Sequence, residues 1–423
     1  MKTLIFILFV SLIARSASMG EGVDDGDKLL LDILLENGQI TESQKNAVLA
    51  EYEKRLAKKS AEVSANSEKS TVNEPVLSVQ KKRQSTKSLT LSGRLHPQYD
   101  SLSSRLSNTD RADPSSNNRF HIRRAFVGIS AVLDDQWKAT YLTDFSDSKV
   151  VTQVARITWT LNDSNSLQFG YQKAPFGYEE TTISSIVIPI ERSASTRYWN
   201  ESGSVGSWHT GVYYHRTWGS GWKSVFAVTN NDKGEADRST SATNDLAVYL
   251  RLQNSLSVFG EDKLVYGLDL AQQTNGNGNG YDVSACAVHG DWTIGRNRMI
   301  GEFVQGELDR AMGGDSRPSS WFLQGSRKLG EKLELVGRVS SVDTDGEGAK
   351  LSTVIRRAPF SGFWYDEVDS LYLGANWFFK GNNVKFSLGY EYAEGSESTN
   401  ATGADNDVEE TIDGVRSRFQ ILF

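Results

Sequence analysis

Arginine is the residue type in this chain whose placement points to chemistry. Ten basic side chains fall on the polar face of segments in which apolar and polar residues alternate: Arg94, Arg124, Lys138, Arg156, Lys223, Arg251, Arg338, Lys385, Arg416 and Arg418. Four acidic residues share that face, namely Asp144, Asp269, Glu334 and Glu391. The chain as a whole carries a formal net charge of −7, so the basic excess on this face is local and does not follow from composition. A guanidinium fork meets an oxyanion with parallel charge-assisted hydrogen bonds. A series of such forks suits the passage or binding of anions. The same arginines could instead pair with the acids across strands and stiffen a wall, and the sequence leaves both readings open.

Other chemistries find little support. The five histidines are His96, His121, His209, His215 and His289. His209 and His215 are six apart and share one face of a strand, but no HExxH or Cys–His pattern surrounds them. The single cysteine, Cys286, can form neither an internal disulfide nor a paired zinc site. No metal or cofactor is expected. GxSxG, P-loop and strand-turn-helix GxGxxG patterns are absent, and the run from Asn275 to Gly280 reads as a loop. Ser207 and His209 are close enough to share a face, as a barrel-borne lipid hydrolase would need, but nothing else supports an enzyme. The acidic balance argues against a nucleic-acid partner.

The elements that would carry the arginines are β-strands. Over 371–379, 384–392 and 415–423, apolar and polar residues alternate with period two, giving each strand one greasy and one wet face. Sixteen such segments fall between residues 89 and 423: 89–99, 118–133, 137–145, 150–161, 166–176, 207–218, 221–230, 245–255, 263–272, 280–290, 291–307, 319–329, 333–344, 366–379, 383–393 and 414–423. Tight turns at 134–136, 162–165, 219–220, 330–332 and 380–382 alternate with long connections at 100–117, 177–206, 231–244, 308–318, 345–365 and 394–413. An even number of antiparallel strands with short turns at one end and long loops at the other is the pattern of an outer-membrane barrel. Trp137, Phe145, Trp159, Trp222 and Trp377 lie near strand ends, where interfacial girdles would place them. The fold expected is therefore all-β, a 16-stranded antiparallel transmembrane barrel around a water-filled lumen. A mean hydropathy of −0.43 excludes a multi-helix membrane protein but not such a barrel.

Before the barrel come three segments of different composition. Residues 1–18 read as a secretory signal peptide: Lys2, then the apolar run Leu4 to Ile13, then small residues. Residues 24–60 read as a short helical or coiled-coil segment on the periplasmic side, with Asn37-Gly38 ending one helix and Thr41/Gln44 at capping-box spacing opening another. It would either join protomers or pack as a small hairpin. Residues 61–88 are Ser- and Lys-rich and read as a linker.

From Leu89 to Trp199 the chain resembles the phosphate-selective porin O and P family. The matching residues are Ser92-Gly93-Arg94, Arg123-Arg124-Ala125 with Gly128, the run Gly170-Tyr171-Gln172-Lys173-Ala174-Pro175-Phe176-Gly177, and Glu191-Arg192-Ser193. The resemblance implies a homotrimeric anion porin of the bacterial outer membrane, with phosphate or polyphosphate among its solutes. It also implies a constriction loop starting at Pro175-Phe176-Gly177 and carrying Glu191 and Arg192. Arg94, Arg123, Arg124 and Arg156 on the wall, and Lys173 near a rim, become the anion-contact residues. Neighbours cannot both face the lumen of a regular strand, so Arg123 beside Arg124 demands a bulge or a protomer interface. Phe423, a terminal aromatic in phase with Phe419 and Ile421, resembles the signal read by the outer-membrane assembly machinery, with membrane lipids as the surrounding partner. A general porin for sugars or mixed ions, and a structural or adhesive barrel with a blocked lumen, fit the same alternation.

Overall fold

The computed structural model describes residues 87–146, 150–201, 205–231, 246–257, 262–276, 281–310, 315–400 and 407–423, together with Glu42. The expected signal peptide, the helical segment apart from Glu42, and all but the last two residues of the linker lie outside the described residues. The first eight strands are β1 (Ser88–Ser107), β2 (Asn117–Val132), β3 (Trp137–Asp144), β4 (Val151–Asn162), β5 (Asn165–Lys173), β6 (Trp208–Thr217), β7 (Lys223–Asn230) and β8 (Leu246–Ser257). The second eight are β9 (Lys263–Gly276), β10 (Tyr281–Ile294), β11 (Asn297–Arg310), β12 (Ser319–Leu329), β13 (Leu333–Asp343), β14 (Tyr365–Lys380), β15 (Val384–Ser398) and β16 (Glu409–Leu422). Each pairs antiparallel with its sequence neighbours, and β1 pairs with both β2 and β16, so the sheet closes. Closure leaves no unpaired edge, which is what lets strands cross a hydrocarbon layer.

The connections sort by end. Those at 133–136, 163–164, 218–222, 258–262, 295–296, 330–332 and 381–383 lie at the turn end, and the others, including 174–207 and 344–364, at the loop end. Two expectations need correction. β1, β11, β15 and β16 run further towards the loop end than the alternation suggested, because their outer stretches pair as polar hairpins with no greasy face. The break between β10 and β11 lies at Gly295-Arg296 rather than after Gly290, because Gly290 continues the ladder opposite Gly301.

The burial pattern is inverted relative to a soluble protein. In β13, Glu334, Arg338 and Ser340 point inwards and are buried, while Leu335 and Val339 point outwards and are exposed. Aromatic pairs mark the turn end, including stacked Trp137 and Trp159 with centroids 5.3 Å apart and Trp222 edge-on to Tyr266 at 5.7 Å. An exposed apolar belt of this extent is stable only against lipid.

The seam between first and last strands closes on a glycine. Gly93 N donates to Phe423 O at 2.6 Å, and Phe423 N donates back to Gly93 O at 3.1 Å. The Phe423 ring covers Gly93 so closely that a Cβ there would stand 2.1 Å from a ring carbon. Gly93→Val should expel the ring and weaken closure by about 1–3 kcal/mol, the usual cost of overpacking. Heat-modified electrophoretic mobility would show it as unfolding at lower temperature; a profile equal to the parent's would refute it.

Candidate functional site

The connection between β5 and β6 (residues 174–207) does not project outwards but crosses the lumen. Its course begins at Gly177, whose left-handed backbone (φ 77°) turns the chain inwards. Gly177 N donates to Asp269 on β9 at 3.0 Å, and Tyr178 N and its hydroxyl donate to Glu302 on β11 and Asp291 on β10. One helical turn, α1 (Tyr178–Thr181), follows. The chain then reaches β15 and β16, where Lys385 Nζ and Gln420 Nε2 donate to Ser185 O at 3.0 and 3.3 Å. It returns past β14, where Asn376 Nδ2 donates to Ile188 O at 3.1 Å and Ile190 N donates to the Tyr372 hydroxyl at 3.2 Å. It ends in α2 (Ala194–Glu201), whose Trp199 indole N–H donates to Ser320 on β12 at 2.9 Å. Phe176 is buried at its root.

This loop fills the side of the lumen facing β9–β16 and leaves a cavity of about 830 Å³ against the wall built mainly by β1–β6. Arg94, Arg123, Arg124, Arg156, Lys173, Arg192, Pro175 and Glu191 all line it. Arg197, Arg251 and Arg356 line it too, and the only acidic residues among its lining are Asp144, Glu180, Glu191 and Glu201. Nine cations against four anions give this path a positive sign inside a chain of net charge −7. Low-dielectric walls sharpen that field.

The two adjacent arginines both reach the lumen because β2 bulges between them. Arg124 stands opposite His96 and Ile122 opposite Pro97, so Arg123 is the extra residue. Pro97 has no N–H to contribute to the ladder, and a bulge opposite it loses little. Arg123 then grips Glu191 with both arms, Nε to Oε1 at 2.8 Å and Nη2 to Oε2 at 3.2 Å. Burial alone would push the Glu191 carboxyl up, but Arg123, Arg418, Arg124 and Arg356 outweigh it and hold the group well below the usual carboxylate range.

The basic residues divide by whether their donors are occupied. Arg192 is directed at its own loop: Nε donates to Glu179 O at 3.2 Å, and Nη2 to Glu180 O and Thr182 O at 3.1 and 2.8 Å. Lys173 holds Glu180 at 2.5 Å and lies over the Trp208 ring. Arg251 grips Asp269 with Nε at 2.7 Å and Nη2 at 2.5 Å, and Arg416 bridges Glu391 and Asp100 at 2.5 and 2.9 Å. By contrast, Arg94 Nε, Arg124 Nη1 and Arg156 Nε have no protein acceptor among the described residues. Arg94 is held in place by Ser184 at 2.5 Å and by the Phe126 ring at 5.1 Å, and Arg156 by Gln172 at 2.5 Å.

The remaining sequence candidates fall elsewhere. Ser207 and His209 are both buried, and His209 Nδ1 faces Asn230 O at 3.0 Å while its ring lies against Tyr249. This Ser–His pair therefore does not face lipid. Sequence reading missed three lumen carboxylates, Asp100, Asp291 and Glu302. It also missed Arg356, which sits in a connection read as an outer loop. The signal available there was the apolar group Leu351, Val354 and Ile355, out of place in a solvated loop.

Among the described residues no group of His, Cys, Asp and Glu could hold a metal ion. No curated protein matches the chain. Solved structures share its fold at low identity. An anion-selective porin from Comamonas acidovorans is 13% identical, with 79% of this chain and 99% of that chain covered at a TM-score of 0.55. OprB of Pseudomonas putida is 9% identical, covering 79% and 94% at 0.53. The outer membrane channel DcaP of Acinetobacter baumannii is 12% identical, covering 79% and 97% at 0.50. Residues 90–423 match one family over the whole barrel. By this match the chain belongs to the phosphate-selective porin O and P family.

Proposed function

We propose that the protein is a passive outer-membrane porin whose water-filled lumen prefers anions, with phosphate-like oxyanions as its solutes. The observation that carries this reading is the positive charge of the cavity lining. Nine cations line the cavity, Arg94, Arg124 and Arg156 among them, against the four carboxylates Asp144, Glu180, Glu191 and Glu201. An oxyanion losing part of its hydration there gains charge-assisted bonds in return. Several moderate sites in series favour conduction, since one deep well would hold the ion. We further place the protein as a homotrimer, its N-terminal segment periplasmic and Phe423 as the handle for the assembly machinery. The family membership supports the first, and the short-turn end carrying residue 88 supports the second.

The test is the reversal potential of the purified full chain in a planar bilayer across a tenfold KCl gradient. The expected sign is that of chloride preference, with added inorganic phosphate lowering the chloride current. Cation preference would overturn the reading, and zero conductance would favour a barrel with a blocked lumen.

A further inference from the structure

The connection between β13 and β14 (residues 344–364) also turns into the barrel. Its helical turn α3 (Leu351–Val354) buries Leu351, Val354 and Ile355 in the same apolar cluster as Tyr198 and Trp199 of α2. Three backbone carbonyls then fix the following residues. Thr353 O accepts from Arg197 Nε and Nη2 at 2.9 and 2.7 Å. Arg356 O accepts from Arg416 Nη2 at 2.6 Å, and Arg357 O accepts from Asn117 Nδ2 at 2.8 Å. Arg357 is held in the left-handed region (φ 61°), a conformation that a bulky residue keeps only when its surroundings impose it.

All of this delivers one side chain to the anion path. Arg356 lines the same cavity as Arg123 and Arg124, and its Nε has no protein acceptor among the described residues. Burial, with the like charge of Arg123 next in weight, lowers its pKa to about 10, so it stays a cation at neutral pH. Its depth follows from the register. Arg416, which holds its carbonyl, stands opposite Asp100, whereas Arg124 stands opposite His96. Four residues along β1 at roughly 3.3 Å each, on strands tilted by roughly 40°, place the backbone of Arg416 about 10 Å nearer the loop end than that of Arg124, and from that anchor the Arg356 side chain reaches down to interact with Arg123 and Glu191.

We propose that Arg356 is a selectivity-determining cation of the channel, delivered from the loop side to the level of Arg123 and Arg124 by the β13–β14 connection. The inference rests on the anion-porin reading. It makes the β13–β14 connection a second constriction element, which sets selectivity from the loop side.

Arg356→Gln and Arg124→Gln should be compared with the parent in bilayers after insertion in one orientation. Arg356→Gln is expected to lower the chloride-to-potassium permeability ratio about threefold, by removing one of several focused charges. As a second measurement free of folding effects, Arg356→Cys in a Cys286→Ser background would be treated with charged thiol reagents after insertion. A cationic adduct should restore the ratio and an anionic one should lower it further. If the parent prefers anions and Arg124→Gln weakens that preference, but neither Arg356 variant alters the ratio, the selectivity role is wrong and the porin reading stands. If the parent shows no anion preference, both fall together.

Discussion

Arg124→Glu should abolish the anion preference of the channel and bring its reversal potential to the cation side. Arg124 is only 6% exposed, faces the cavity, and has Arg123, Glu191, Arg418 and Arg192 as charged neighbours. Its Nη1 has no protein acceptor, so little in the fold depends on that arm. A unit charge several ångströms from a permeating ion, with an effective dielectric of about 20 or more, contributes about 1–2 kcal/mol. Neutralising it should therefore reduce selectivity by roughly fivefold to thirtyfold, and reversing it should act about twice as strongly on the free-energy scale. The contrast lies in Arg317, paired with Glu307 on the exposed rim. Arg317→Gln should leave selectivity as it was, because bulk salt screens it. Equal effects of Arg124→Glu and Arg317→Gln would mean that selectivity follows overall surface charge and not the constriction.

The parts of this channel legible in the sequence are those where one residue's environment follows from its neighbour's. Strands β14 to β16 stood out because lipid outside and water inside force alternation, as exposed Leu388 against buried Ser387 shows. The β10–β11 turn was misplaced because Gly290-Asp291 has turn composition, yet Asp291 is a lumen residue bound by Arg298 at 2.8 and 2.6 Å. Arg123 and Arg124 contradicted strict alternation, and the resolution lay across the sheet at Pro97, in the missing N–H. What could not be read is how a loop returns to the barrel. Arg192, carried to the constriction by resemblance, does line the cavity, but its donors go to carbonyls of its own loop, a use that spacing does not reveal. Arg356 was hidden for the same reason: its place depends on α3 meeting α2, a contact between loops 150 residues apart.

Glu179→Ala should release the constriction loop while leaving the barrel intact. Glu179 is buried and organises the start of α2. It accepts from Ser193 N at 2.9 Å, Ser193 Oγ at 2.7 Å and Thr196 Oγ1 at 2.7 Å. Arg338 Nη1 on β13 reaches the same carboxylate at 3.1 Å and also donates to Glu191 O at 2.9 Å. Truncation would leave a buried guanidinium without its counter-charge, which typically costs about 3–5 kcal/mol. None of that falls on the ladders between strands, so the opening should be local, a property of residues 174–207 and not of the fold. Single-channel recordings should show higher conductance with frequent flicker, and the loop should become cleavable by protease while heat-modified mobility is unchanged. Glu179→Gln keeps an acceptor for Ser193 and Thr196 but loses the charge facing Arg338, so it should fall between the two. A quiet channel of parental conductance in Glu179→Ala would show that the anchors at Asp269, Glu302 and Ser320 suffice to hold the loop, and that the cost is absorbed by rearrangement around Arg338.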